Sequence, residues 1–268
     1  MSNPEAAMRE LLDLMRRLRD PARGCPWDRA QDFASVAPFT IEEAYEVADA
    51  IDRGAPERLR EELGDLLFQV VFHARLAEER GWFDFADVAR GIVAKLVRRH
   101  PHVFADAGAG DQQALAQAWD AHKAAERRTA GARGALAEVP LALPALGRAA
   151  KLGRRAARVG FDWPQASGVR AKIAEELAEA DAAQAAGDAA GTSAEIGDLL
   201  FAVANWARHL QLDPEESLRQ ACVRFERRFA TMEVLAEAAG QRLEQLDAAA
   251  WDALWNAAKQ AERGAVVQ

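Results

Sequence analysis

One acid-bearing pattern occurs twice in this chain at a fixed offset, and that duplication constrains the fold more than any other feature of the sequence. Glu42-Glu43-Ala-Tyr-Glu46 returns as Glu175-Glu176-Leu-Ala-Glu179, and Glu62-Leu-Gly-Asp65-Leu-Leu-Phe68 returns as Glu195-Ile-Gly-Asp198-Leu-Leu-Phe201. Both recur 133 residues on, as the pairs Glu43/Glu176 and Asp65/Asp198 show. Arg98-Arg99 pairs with Arg227-Arg228 at an offset of 129, and Trp119, Lys123 and Glu126 pair with Trp255, Lys259 and Glu262 at 136. A period this long is unlike a solenoid and implies two homologous units. Prolines and glycines gather between Thr129 and Pro144 without an apolar period, as a linker would. The expected organisation is therefore a first domain over 1–130, a linker over 131–144 and a second domain over 145–268.

Each unit is expected to be helical. Aromatic residues make up 7% of the chain, with a single Tyr among many Ala, Leu, Glu and Arg, and straight-chain side chains lose little rotamer freedom in a helix. Met8, Leu11, Leu12, Met15 and Leu18 predict a helix over 5–19, stopped by Asp20-Pro21 and followed by a loop from Pro21 to Asp32. Thr40 with Glu43 reads as a capping box opening a helix that runs to about Arg53. Further helices are predicted from about Pro56 to Glu79, Phe85 to Arg99 and Ala114 to Arg128, with a glycine-rich loop over Ala105 to Gly110.

The spacing of the acids then suggests chemistry. At ~3.6 residues per turn, Glu175, Glu176 and Glu179 fall within about 100° of one another, and Glu195 and Asp198 share a face of the next helix. A short connection around Gly187 to Thr192 would pack the two helices antiparallel and bring four or five carboxylates to one place. Like charges so close would oppose folding unless a hard divalent cation took their oxygens as ligands. Acids without His or Cys nearby point to Mg²⁺, or Mn²⁺ in its place, rather than zinc. Paired Glu residues on a helix usually form a solvated face. Two features weigh against that here: Glu-x-Gly-Asp sits in an apolar run, and the arrangement occurs in both halves. Gly64 and Gly197 within that motif are read as allowing close helix approach, because Gly inside a helix costs ~1 kcal/mol against Ala.

A carboxylate cluster that handles a polyphosphate also needs cations. Lys172 lies one turn before Glu175 and Glu176, and Arg224, Arg227, Arg228 and Lys259 lie on later predicted helices. Each, taken singly, is more often a surface charge. Trp163 and Trp255 offer flat apolar faces for a base, though a core role fits equally. Asn205 and His209, beyond Asp198 on the same helix, are in reach of a sugar or base.

Other classes are disfavoured. A net charge of -8 argues against broad binding to nucleic acid. Cys25 and Cys222 are the only cysteines, so neither a disulfide framework nor a zinc site is indicated, and a reducing cytoplasm fits. The first twenty residues carry charges every few positions, and no stretch approaches the ~20 apolar residues of a membrane span. A di-iron carboxylate bundle would need Glu-x-x-His, which the sequence lacks.

The combination Arg19-Asp-Pro-x-x-Gly24-Cys25-Pro26-Trp27-Asp28-x-x-Gln31, Glu42-Glu43-x-x-Glu46-x-x-Asp49, Glu62-Leu-Gly-Asp65, Arg98-Arg99-His100-Pro101-His102, Val159-Gly160-Phe161-Asp162-Trp163 and Phe225-Glu226-Arg227-Arg228-Phe229 resembles the tandem-domain bacterial MazG family over nearly the whole chain. The resemblance implies an all-α nucleoside triphosphate pyrophosphatase fold in four-helix-type units, and a homodimer. It also implies Mg²⁺-dependent hydrolysis of NTPs and dNTPs, of broad specificity, to monophosphate and pyrophosphate. Such an activity would serve house-cleaning of the nucleotide pool or control of stress nucleotides; the alternative is a non-catalytic nucleotide sensor or regulatory partner of a toxin system. Carried over by motif, the metal ligands are Glu176, Glu179, Glu195 and Asp198, with Glu43, Glu46, Glu62 and Asp65 as first-unit equivalents. Glu175 is the expected general base, and Lys172, Asn205, Arg224, Arg227, Arg228, Trp255 and Lys259 are the expected substrate contacts. The second unit is the expected catalytic one, because Phe72 stands in the first where Asn205 stands in the second.

Overall fold

The structure is a computed structural model, described here for residues 3–104 and 134–265. Every regular element among the described residues is helical. The chain divides into two compact units, 1–125 and 126–268.

The first unit contains α1 (Pro4–Leu18), α2 (Pro26–Ala30), α3 (Phe33–Asp52), α4 (Pro56–Glu79), α5 (Phe85–Arg99) and α6 (Pro101–Phe104). α4 lies at its centre and packs against α1, α3 and α5. Gly54, with φ +61°, lets the chain reverse between α3 and α4 within three residues, since a left-handed backbone costs Gly nothing. Met15, Val36, Val71, Phe72 and Leu76 form the core, bordered by Leu11, Leu12, Phe33, Phe68 and Phe85.

The second unit contains α7 (Ala145–Ala157), α8 (Ala166–Ala185), α9 (Ala189–His209), α10 (Pro214–Ala238) and α11 (Ala248–Ala265), with a 3₁₀ turn at Leu243–Gln245. α8 and α9 pack along their lengths, α7 lies on α9, and α11 lies on α10. The helix starts repeat the offsets of the motifs. α8 and α9 begin 133 residues after α3 and α4, and α10 begins 129 after α5. Most of the buried apolar residues here are Ala: Ala149, Ala150, Ala180, Ala202, Ala204, Ala236 and Ala258, joined by Val139, Val169 and Met232.

Several expectations are corrected. α3 begins at Phe33, not at Thr40, because Asp32 caps it: Ser35 N donates to Asp32 Oδ1 (2.9 Å) and Asp32 N donates to Ser35 Oγ (2.9 Å). Pro38 then lies inside the helix, where its missing N–H removes one bond near the start. The Thr40 hydroxyl is left to bond Val36 O and share a hydrogen bond with His73 Nε2 (2.9 Å). The expected loop from Pro21 to Asp32 holds the short helix α2, opened by Pro26 at its first position. Among the described residues no neighbouring helix comes close to Gly64 or Gly197: a Cβ at either would meet nothing within 4 Å.

The predicted helix over 114–128, its Trp119, Lys123 and Glu126, and the glycine-rich stretch 105–110 lie outside the described residues. So do residues 131–133 of the expected linker. In the rest of that linker Val139 is buried, and Arg155 Nη1 donates to Ala137 O (3.2 Å).

Candidate metal and nucleotide site

The turn between α8 and α9 decides which carboxylates meet. It is three residues long, with Gly187 at φ +71°, and Asp188 caps α9 by accepting from Gly191 N (2.9 Å). The helices therefore run antiparallel in contact, and the acids in the middle of α8 face those early in α9. Ligand-capable oxygens of Glu176, Glu179 and Glu195 all lie within 4.8 Å of one another. Glu176 is only 5% exposed, so its charge requires compensation.

Two of these acids are shifted in opposite directions. Lys172 donates to Glu175 Oε1 (2.7 Å) and pairs with Glu176 Oε1 (2.8 Å). Its hydrogen bond holds the Glu176 carboxyl below the usual range, and the same two carboxylates raise the Lys172 ammonium. Glu195 is pushed up, first by burial and then by the charges of Glu179, Glu176 and Asp198. Asp198 is thus near enough to be felt but stands outside the three-carboxylate group. Glu175 also stands outside it. Its side chain is 57% exposed, and of the three acids of α8 only Glu176 and Glu179 join the converging group.

The first unit gathers Glu43, Glu62 and Asp65 in the same way. Glu43 is raised by burial and by the charges of Asp65, Glu46 and Glu62, against a hydrogen bond from Gln69. Here Asp65 is in and Glu46 is out, whereas the second unit takes Glu179 and leaves Asp198. Both groups are drawn from the same four motif positions, with a different three converging in each. The cations differ. Arg58 Nε pairs with Glu62 Oε1 (3.1 Å), while Phe39, in edge contact with Trp27 (6.1 Å between centroids), occupies the position of Lys172. Phe72, 2% exposed, fills the core where the second unit has Asn205.

The remaining expected substrate contacts form a separate group. Arg227 pairs with Glu262, and Arg228 Nε does so at 2.7 Å. The Trp255 ring lies against Phe225 (5.5 Å), with Arg228 at 5.8 Å and Lys259 at 6.0 Å from its centroid. Arg224 is exposed on α10. None of these four cations is ion-paired to the acids of α8 or α9, so the structure does not bring them onto the carboxylates. Asn205 is 5% exposed and accepts from Arg208 Nε (2.7 Å), packed over Gly153. Trp163 lies over Gly168 at the start of α8. His209 pairs with Asp162 Oδ1 (2.9 Å).

One arrangement was missed from the sequence. Asp162 accepts from Arg208 Nη1 (3.0 Å) and Nη2 (2.5 Å) and contacts His209. This clamp fixes the end of α9 and, through Arg208, the amide of Asn205. The one local signal for it is the acid within the Gly160-Phe161-Asp162-Trp163 motif.

The donor chemistry of both clusters is all oxygen, with no His or Cys within the groups, which fits a hard divalent cation. The MazG nucleotide pyrophosphohydrolase domain model matches residues 31–104, from the end of α2 through α6. A nucleoside triphosphate pyrophosphohydrolase of Escherichia coli (strain K12) is 47% identical over 94% of this chain and 97% of its own length. The chain belongs to the MazG family. A further relative is the nucleoside triphosphate pyrophosphohydrolase/pyrophosphatase MazG of Thermotoga maritima, 44% identical over 93% of this chain and 94% of that protein. Among solved structures, the crystal structure of a mazG-related protein from Thermotoga maritima matches with a TM-score of 0.37 and 24% identity, over 43% of this chain and 98% of that one.

Proposed function

We propose that this MazG chain hydrolyses nucleoside triphosphates to monophosphate and pyrophosphate with Mg²⁺ at the carboxylate cluster of the second unit. The convergence of Glu176, Glu179 and Glu195 within 4.8 Å, with Glu176 nearly buried, carries this reading. The relatives named as nucleoside triphosphate pyrophosphohydrolases agree with it.

Glu176, Glu179 and Glu195 would hold the cation, with Asp198 as the adjacent fourth ligand. A bound divalent cation polarises phosphate oxygens and lowers the pKa of water. Glu175, exposed beside Glu176 and hydrogen-bonded by Lys172, accepts the proton of the attacking water. Lys172 faces the phosphates from the same turn of α8. Arg224, Arg227, Arg228 and Lys259 are the cations proposed for the pyrophosphate end. The Asp162 to Arg208 to Asn205 chain holds the Asn205 amide toward the nucleoside, with Trp255 offering a stacking face.

The first unit retains the acids but has Phe39 and Phe72 where the second has Lys172 and Asn205, which supports catalysis in the second. Broad specificity is part of this reading, since a carboxylate-held cation and Lys172 would engage the triphosphate, which all NTPs and dNTPs share. A homodimer is supported by apolar rows left exposed in both units, Leu63, Leu67 and Val70 on α4 and Ile196, Leu200 and Val203 on α9. No described helix is long and apolar enough to cross a membrane, in keeping with the cytoplasmic location expected from the cysteines.

The test is product analysis by anion-exchange chromatography on a panel of NTPs and dNTPs, with Mg²⁺ and with EDTA. Metal-dependent monophosphate plus pyrophosphate is expected. Release of orthophosphate, or turnover unchanged by EDTA, would refute the reading.

A further inference from the structure

Lys172 is engaged with the very carboxylate that the cluster most needs. Its ammonium lies 2.8 Å from Glu176 Oε1 and 2.7 Å from Glu175 Oε1, and Glu176 is the most buried of the three converging acids. An ammonium and a divalent cation on one carboxylate repel each other at a few ångströms, and shielding from water strengthens that repulsion. Lys172 is also on a flexible four-carbon stem and is about one-third exposed, so its head can swing away without moving α8. Glu175, at 2.7 Å, stays beside the ammonium, and the phosphates of a nucleotide held at the same cluster would give it a further, charge-dense partner in place of Glu176. The first unit lacks this element, since Phe39 stands at the matching place.

We propose that Lys172 is an internal counter-ion that competes with the divalent cation for Glu176 and is transferred to the triphosphate when the nucleotide binds. This rests on the metal-dependent reading of the second unit. Metal alone is then held weakly, because it must displace the ammonium. Metal and nucleotide together are held strongly, because the nucleotide gives the displaced ammonium a new partner. By linkage each ligand raises the affinity of the other by the same factor, and Lys172 is the residue that couples them.

The experiment measures Mn²⁺ binding by loss of the free-ion EPR signal, with and without an α,β-methylene NTP analogue that resists cleavage. The full chain carries E43Q, E62Q and D65N, so that only the second-unit cluster is read. Lys172→Met is expected to bind Mn²⁺ roughly tenfold more tightly than its parent without nucleotide. It is also expected to lose most of the gain in Mn²⁺ affinity that the analogue gives the parent. Arg170→Met, which removes a cation from the same helix away from the acids, controls for general charge and should change each quantity by less than about twofold. Lys172→Gln, similar in length but neutral, should reproduce Lys172→Met. If Lys172→Met matches Arg170→Met, or keeps the full coupling, Lys172 is not the counter-ion. If the parent binds no Mn²⁺ while circular dichroism shows it folded, the metal-dependent reading itself fails, and with it this proposal.

Discussion

Arg19 Nη2 lies 2.7 Å from Glu79 Oε2, joining the end of α1 to the end of α4. The guanidinium is 7% exposed and also donates to the carbonyls of Asp28 and Gln31, while its plane lies 5.3 Å from the Phe72 ring. It therefore ties the Arg19-Asp-Pro and Pro-Trp-Asp segments to the core of the first unit. The Arg19 hydrogen bond holds Glu79 below its ordinary carboxylate value. A carboxyl whose folded pKa is depressed stabilises the folded state above its unfolded value, near 4.5, and that contribution is lost as pH falls through the lower folded value. Glu79→Gln should destabilise the first unit by about 2 kcal/mol at pH 7. The difference between parent and variant, followed by urea denaturation, should shrink steadily below about pH 4.5.

Glu176→Gln removes the most buried ligand candidate and should lower kcat by at least about 100-fold. Asp198→Asn, outside the tight group of three, should cost less. Glu43→Gln should reduce turnover by less than about tenfold, since it lies in the other unit. Initial rates of pyrophosphate release for the three variants decide the order. Equal losses from Glu43→Gln and Glu176→Gln would place catalysis in both units.

Asp162 stands outside both carboxylate groups, yet its loss should be felt at the nucleoside. Asp162→Ala frees Arg208 and His209 and lets the Asn205 amide rotate, at a stability cost of about 1–2 kcal/mol. It should raise KM more than it lowers kcat, read from steady-state kinetics at several NTP concentrations. Arg208→Ala should do the same, and the double variant should be no worse than either alone, because the two side chains act as one clamp.

Leu200 projects from the exposed row of α9 at 51% exposure. If a second copy covers that row, Leu200→Glu should shift the mass measured by light scattering from dimer toward monomer, without loss of helicity by circular dichroism. A parent that is already monomeric would remove the homodimer.

The acids were legible in the sequence because helical periodicity converts spacing into position: Glu176 and Glu179 share a face, and the short turn at Gly187 sets them against Glu195. The start of α4 at Pro56 was legible for the same local reason, whereas the single turn of α6 opened by Pro101 was not expected. α3 was misplaced because Thr40 with Glu43 has the pattern of a capping box, whereas the box that opens the helix is Asp32 with Ser35. Gly64 and Gly197 misled because a glycine says only that its own side chain is absent, not what lies opposite. The Asp162 clamp joins residues 46 and 47 positions apart, and no local pattern encodes such a pairing. The directions of Arg227 and Arg228 were hidden likewise, since Glu262 on another helix claims them.

The two units share a connectivity but not a filling. Phe72, Met15 and Leu76 give the first a centre of large side chains, whereas the second is closed chiefly by alanines. Each buried methyl offers little area compared with a buried ring or branched chain, so opening a helix of the second unit forfeits less. On that ground the second unit is expected to open more readily than the first. Backbone amides of α8 and α9 should exchange with solvent deuterium sooner than those of α3 and α4, placing the proposed chemistry in the half whose helices breathe.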